Sequence, residues 1–119
     1  MSRKILFLDR DGTLIVEPAD HQIDSLDKFR LVDGVIPALL SLRDAGFRFV
    51  MVSNQDGLGR RRYSLARFKA VQEFLILLFA SQGLVFAETL LCPHRECDRC
   101  ACRKPQLGLV GEYLADPSW

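Results

Sequence analysis

Ile5-Leu6-Phe7-Leu8-Asp9-Arg10-Asp11-Gly12-Thr13-Leu14 runs from four consecutive apolar residues straight into two carboxylates. The apolar run reads as a buried parallel strand whose C-terminal end carries polar groups. Gly12 then lets the chain turn sharply. Two carboxylates at the end of a buried strand are costly unless they bind a metal or do acid–base work. A phosphate ester uses both. One carboxylate attacks phosphorus and becomes an acyl phosphate, while the other protonates the leaving oxygen and then activates water. Mg²⁺ would screen the repulsion between carboxylate and phosphate. An Asp-rich turn is the plain alternative. An EF-hand loop is another, but that pattern wants Gly sixth and Glu twelfth and follows a helix; counted from Asp9, Gly12 is fourth and Asp20 twelfth.

Outward from this point, residues 14–33 mix charges with scattered apolar positions and read as a loop or flap. Asp33-Gly34-Val35-Ile36-Pro37 opens a helix, with Pro37 tolerated in its first turn. Ile36, Leu39, Leu40 and Ala45 fall near one face, and Gly46 stands at the C′ position. Phe47 to Ser53 is a second strand, ending in Asn54-Gln55-Asp56-Gly57. Ser64 caps a helix running to about Gln82, whose stripe of Phe68, Val71, Leu75, Leu78 and Phe79 reads as a core face; Gly83 closes it. Glu88 to Cys92 is a third strand. Pro105 starts a last helix with Leu109, Val110, Tyr113 and Leu114 inward, weakened by Gly108 and Gly111. The alternation predicts an α/β, Rossmann-like three-layer fold with a parallel sheet, one domain over residues 1–119, with function at the C-terminal ends of the strands.

The 119 residues suffice for one small core, and 49% hydrophobic residues favour a packed globule over disorder. A net charge of +1 supplies no large basic field, so nucleic acid is not an expected partner. The run Arg60-Arg61-Arg62 reads as a solvated stretch, with phosphate steering as its functional alternative. Ile5–Leu8 is too short for the apolar part of a signal peptide and Phe74–Ala80 too short to span a bilayer, so a cytoplasmic protein with no membrane partner is expected.

All four cysteines crowd into residues 92–102 beside His94, which suggests a metal rather than disulfides. Cys92-Pro93-His94 and Cys100-Ala101-Cys102 offer thiolates and an imidazole that suit a closed, structural, tetrahedral Zn²⁺ site. A small loop with no apolar residues of its own needs such a staple. Cys97 is a further candidate ligand, and free or redox-active cysteines are the alternative.

Phe7-Leu8-Asp9-Arg10-Asp11-Gly12-Thr13-Leu14 resembles the first motif of haloacid dehalogenase-type phosphatases, Val52-Ser53-Asn54-Gln55 the second, and Arg103-Lys104-Pro105 the third. The resemblance implies that Asp9 is the nucleophile and Asp11 the general acid/base. It implies that Ser53, with Asn54 beside it, binds the phosphoryl group and that Lys104 neutralises its charge. Lys104 is also expected at a helix N-terminus, a place that favours anions. The same likeness implies Mg²⁺ held by the Asp9 side chain and the Asp11 backbone carbonyl.

The cysteine loop resembles the zinc-binding subgroup with Cys-x-His…Cys-x-Cys-Arg-Lys-Pro. It implies zinc ligation by Cys92, His94, Cys100 and Cys102, leaving Cys97 spare. That subgroup holds histidinol-phosphate and heptose bisphosphate phosphatases. Asn54-Gln55-Asp56-Gly57-Leu58-Gly59, Thr13-Leu14-Ile15-Val16-Glu17-Pro18 and Gln22-Ile23-Asp24 resemble the histidinol-phosphate branch, as do Gly34-Val35-Ile36-Pro37 and Ser81-Gln82-Gly83. The likeness covers nearly the whole chain. It implies dephosphorylation of L-histidinol phosphate to L-histidinol, in histidine biosynthesis, through an aspartyl-phosphate; heptose bisphosphate is the alternative small phosphorylated metabolite. Glu17 could pair with the cationic substrate, its plain alternative being a solvated loop carboxylate.

The family's fourth motif, an acidic pair after a further strand and helix, has no counterpart before Trp119. The family's sheet order, 3-2-1-4-5 without a large cap, therefore leaves strand one at an edge, with the C-terminal strands missing. Exposed apolar edges invite aggregation, so the expectation is either a fragment or natural truncation, or a homodimer or other partner that covers that edge. Asp56 and Asp116 are the candidates to replace the missing Mg²⁺ carboxylate. A catalytically inactive, zinc-stabilised module is the reading from a different class.

Overall fold

Three strands lie side by side, all pointing the same way. β1 (Lys4–Leu8) pairs in parallel with β2 (Phe47–Asn54), from Lys4 opposite Phe47 to Leu8 opposite Met51, and β2 pairs in parallel with β3 (Phe86–Cys92). The order across the sheet is β1-β2-β3. The computed structural model describes residues 4–20, 22–59, 64–94 and 98–119; the expectations for Arg60, Arg61, Arg62 and Cys97 lie outside the described residues.

β2 is central, and its run Phe49–Ser53 is buried without a break. β1 was expected to be buried and is only half-buried. Among the described residues it has a strand neighbour on one side alone. The two crossovers between parallel strands are made by α1 (Val35–Asp44) and α2 (Leu65–Ser81). The Ser64 hydroxyl caps α2 by accepting the Arg67 N–H at 3.3 Å. Phe68, Val71, Leu75 and Phe79 bury the expected stripe, with Leu78 half-buried. Each such side chain contributes about 1.5–3 kcal/mol on burial. In α1 the buried residues are Val35 and Leu39, while Ala45 falls outside the helix and is exposed.

The 14–33 segment is more firmly held than a free flap. Leu14, Ile15 and Ile23 are fully buried in the core. Ile15 bridges Leu31 in antiparallel fashion, and the Val16 N–H donates to the Arg30 carbonyl at 2.7 Å.

The C-terminal segment departs from expectation. Pro105 does not start a helix. A 3₁₀ turn at Gly108–Val110 leads into a short α3 (Gly111–Ala115). The cause is a close backbone approach: the Gly108 N–H donates to the Ala101 carbonyl at 2.9 Å, and a Cβ on Gly108 would lie 2.4 Å from that oxygen. Leu114, expected inward, is exposed. Tyr113 packs edge-on against Phe7 of β1, with centroids 5.5 Å apart, and its hydroxyl donates to Glu88 of β3. That hydrogen bond pushes the phenol up to about 12. Among the described residues no helix is long and apolar enough to cross a membrane.

Candidate active site

Asp9 follows the last residue of β1, and its Oδ1 accepts the Arg10 N–H at 2.8 Å. The Arg10 carbonyl accepts the N–H groups of Leu14 (2.9 Å) and Ile15 (3.2 Å), which closes the turn through Gly12 at φ +85°. This turn sets Asp9 and Asp11 on the wall of a cleft of about 450 Å³, also lined by Glu17, Asp20, Gln22, Asn54, Gln55, Asp56, Arg103 and Lys104.

Lys104 arrives from the other end of the sequence. Its Nζ lies 3.0 Å from Asp9 Oδ1 and donates to the Val52 carbonyl at 3.0 Å. It does not stand at a helix N-terminus, because the regular helix begins only at Gly111. Asn54 fixes its backbone: Asn54 Oδ1 accepts the Lys104 N–H at 3.0 Å, and Nδ2 donates to the Lys104 carbonyl at 3.2 Å. The two polar ends of the Asn54 amide are thus engaged by Lys104, although the side chain lines the cleft. Ser53 is buried, and its Oγ accepts the Gln55 amide at 2.7 Å. It is not among the residues that line the cleft.

Two residues were not singled out from the sequence. Gln55 is buried and donates to Asp11 Oδ2 at 2.9 Å. Arg10 is fully buried, with Nη1 3.1 Å from Asp11 Oδ1 and Cζ 4.7 Å from the Phe68 ring centroid. Arg10 stands between the two aspartates, which was the available signal. Burial raises the Asp11 carboxyl above its ordinary value, Arg10 and the Gln55 hydrogen bond oppose this, and Asp9 and Glu17 add to it. A carboxyl kept protonated to higher pH suits a proton donor.

Glu17 lines the cleft, as the sequence suggested. Asp56 does too, but it is paired with Arg103. Asp116 binds the Ser118 N–H at 2.9 Å and does not line the cleft. The lining holds five carboxylates (Asp9, Asp11, Glu17, Asp20, Asp56) against two cations (Arg103, Lys104). Four of the five are ion-paired, Asp9 with Lys104, Asp11 with Arg10, Asp20 with Lys28 and Asp56 with Arg103, so the wall is close to charge-balanced.

The cysteine loop folds its donors together. Cys92, His94, Cys100 and Cys102 place their ligand atoms within 4.8 Å of one another. Cys102 Sγ is 3.0 Å from Cys92 Sγ and 3.2 Å from His94 Nδ1; Cys92 Sγ is 3.4 Å from Cys100 Sγ. The three thiols are free. The Arg103 N–H points at Cys100 Sγ at 3.3 Å, a donor suited to a thiolate. The loop is tied to β2 by hydrogen bonds from the Gln55 N–H to the Cys92 carbonyl and from the Gly57 N–H to the Pro93 carbonyl, at 2.7 and 2.8 Å. Three sulfurs and one imidazole nitrogen so arranged could hold a metal ion.

Known proteins resemble this chain in sequence and fold. The chain is 53% identical over 117 residues to the histidine biosynthesis bifunctional protein HisB of Legionella pneumophila, covering 98% of this chain and 33% of that protein. It is 56% identical over 112 residues to the protein of the same name from Xanthomonas campestris, covering 94% and 30%. The chain thus spans about a third of the length of these curated relatives. Among solved structures, D,D-heptose 1,7-bisphosphate phosphatase from B. bronchiseptica, complexed with magnesium and phosphate, superposes with a TM-score of 0.81 at 31% identity over 95% of this chain and 65% of that one. A HAD-like phosphatase from Mesorhizobium loti gives 0.78 at 27% identity, covering 94% and 56%. The fold is that of the haloacid dehalogenase-type phosphatases, and the profile of polynucleotide kinase 3 phosphatase matches residues 4–118, so the chain belongs to that phosphatase family.

Proposed function

We propose that the chain is a phosphomonoester hydrolase acting through Asp9, with L-histidinol phosphate as its substrate. The observation that carries this reading is the approach of Lys104 Nζ to 3.0 Å from Asp9 Oδ1, beside Asp11, in one cleft. Asp9 Oδ forms a bond to phosphorus as the bond to the leaving oxygen breaks, and Asp11 gives its proton to that oxygen. Asp11, now a base, takes a proton from water, whose oxygen attacks the acyl phosphate and releases Asp9 and phosphate. Lys104 balances charge on the phosphoryl oxygens. The Ser53 hydroxyl and the remaining Asn54 N–H are the further groups proposed to meet them.

Hard oxygen donors at Asp9 and the Asp11 carbonyl fit Mg²⁺, which when bound neutralises phosphate charge. The Cys92, His94, Cys100 and Cys102 donors fit a structural zinc.

The chemistry of the cleft and the named relatives support the choice of substrate. A small phosphate ester with an amine and an imidazole is complementary, its cation directed to Glu17. The identity to proteins named for histidine biosynthesis supports the same choice over the heptose ester. The test is phosphate release with Mg²⁺ from L-histidinol phosphate, heptose bisphosphate and a 3′-phosphorylated oligonucleotide. The expected result is a kcat/KM for histidinol phosphate at least about tenfold above the others, or 1.4 kcal/mol. Faster turnover of either competitor would overturn the substrate assignment.

Magnesium affinity is a second expected result. Among the described residues, the one group of three or more metal-type donors close enough to share an ion is the cysteine–histidine cluster. Asp9 and Asp11 therefore form no such group with a third acid, although Glu17 lines the same cleft, and Asp56 is paired with Arg103. Titrating Mg²⁺ against turnover of this 119-residue chain should give half-saturation in the millimolar range. Micromolar saturation would mean that Asp56 leaves Arg103 to join the ion, or that another chain supplies the acid.

A further inference from the structure

Among the described residues, Arg10 is the largest fully buried side chain. None of its three guanidinium nitrogens has a hydrogen-bond acceptor among the described residues. A buried cation without directed hydrogen bonds is costly, so its retention needs a compensating reason. The surroundings give one. The guanidinium lies over the Phe68 ring of α2, with Cζ 4.7 Å from the centroid, and Nη1 is 3.1 Å from Asp11 Oδ1. That approach is too poorly aligned for a hydrogen bond, so the pull on Asp11 is electrostatic. The other Asp11 oxygen accepts the Gln55 amide at 2.9 Å. Each carboxylate oxygen of Asp11 is therefore held by a different buried side chain.

We infer that Arg10 is a positioning residue for Asp11. Stacked on Phe68, it fixes the Asp11 carboxyl from behind, opposite Gln55, so that its proton is delivered to the leaving oxygen. Arg10 meets neither substrate nor metal. The inference rests on the proposed role of Asp11 as proton donor and then base. It yields a signature that loss of packing alone would not give. An acidic leaving group departs without a proton, so mis-aiming the donor harms an alkyl ester more than an aryl ester.

The experiment compares an alkyl phosphate with an aryl phosphate of acidic leaving group, at saturating Mg²⁺, for the wild type, Arg10→Met, Arg10→Lys and Phe68→Leu. Because kcat/KM reports steps up to departure of the leaving group, Arg10→Met should lower it on the alkyl ester by about a hundredfold. On the aryl ester kcat/KM should stay within about threefold, while kcat falls on both because the same group activates water. Arg10→Lys should recover part of the alkyl rate. Phe68→Leu should show the same pattern more weakly, and it carries the test if Arg10→Met fails to fold. Equal losses of kcat/KM on the two esters, or no loss on either, would overturn the inference while leaving the phosphatase reading intact. A wild type that hydrolyses neither ester would overturn that reading and this inference with it.

Discussion

Replacing Asp9 with Asn should reduce turnover by at least about a thousandfold while leaving the fold intact. The substitution is nearly isosteric, and Asn keeps an oxygen to accept the Arg10 N–H. What it loses is the negative oxygen that forms the bond to phosphorus, together with the charge that pairs with Lys104 at 3.0 Å. Removing that pair should leave Lys104 freer for phosphate, so phosphate affinity is expected to hold or rise. Phosphate release and equilibrium binding of inorganic phosphate, measured side by side, separate the two effects. Wild-type turnover in the variant would show that another group is the nucleophile.

Removing the proposed zinc should have the second large effect, and it should act at a distance. The donors are Cys92, at the end of β3, His94, Cys100 and Cys102. Arg103 and Lys104 follow directly, the Arg103 N–H is aimed at Cys100 Sγ, and Asn54 grips the Lys104 backbone. Without the ion, adjacent thiolates repel and must take up protons. Structural zinc sites contribute folding energy outright. A strong chelator, or Cys102→Ser, should therefore lower Tm by about 2–8 °C for each kcal/mol lost. It should also lower kcat at least about tenfold by letting Lys104 drift. Elemental analysis, a melting curve and steady-state rates on the same preparation check the chain of events. Protein purified without chelators that carries no zinc, or that keeps its rate when stripped, would refute it.

The parts of the site that could be read from sequence are those whose chemistry is local. Asp9 and Asp11 are announced by type and spacing, and the cysteine loop places its donors within a few residues of each other. Lys104 needed the likeness to a known motif, since 95 residues separate it from Asp9. Arg10 and Gln55 escaped because their roles depend on burial. Arg10 becomes a core cation only through Phe68, which α2 brings from far along the chain. In sequence both look like ordinary polar residues beside more informative ones. The helix expected after Pro105 failed for a related reason. Leu109, Val110, Tyr113 and Leu114 have helical spacing, but spacing carries no trace of the Ala101 carbonyl that holds Gly108. Gly108 was read as a weak helix residue, whereas the backbone approaches too closely there for any side chain.

The position of β1 in the sheet has a consequence for motion. Local opening is cheapest where a segment has fewest partners. Among the described residues, the five-residue strand that presents Asp9 is one of the two edge strands, paired with β2 alone and held besides by Leu6 and Leu8 against the core and by the Tyr113 ring on Phe7. Opening of β1 would carry Asp9 away from Lys104, whose other anchors, the Val52 carbonyl and the Asn54 amide, lie on β2. A phosphate ester spanning Asp9 and Lys104 binds only the closed arrangement, and by linkage it stabilises that arrangement in proportion to its occupancy. The substrate is thereby a cross-brace for the strand that attacks it.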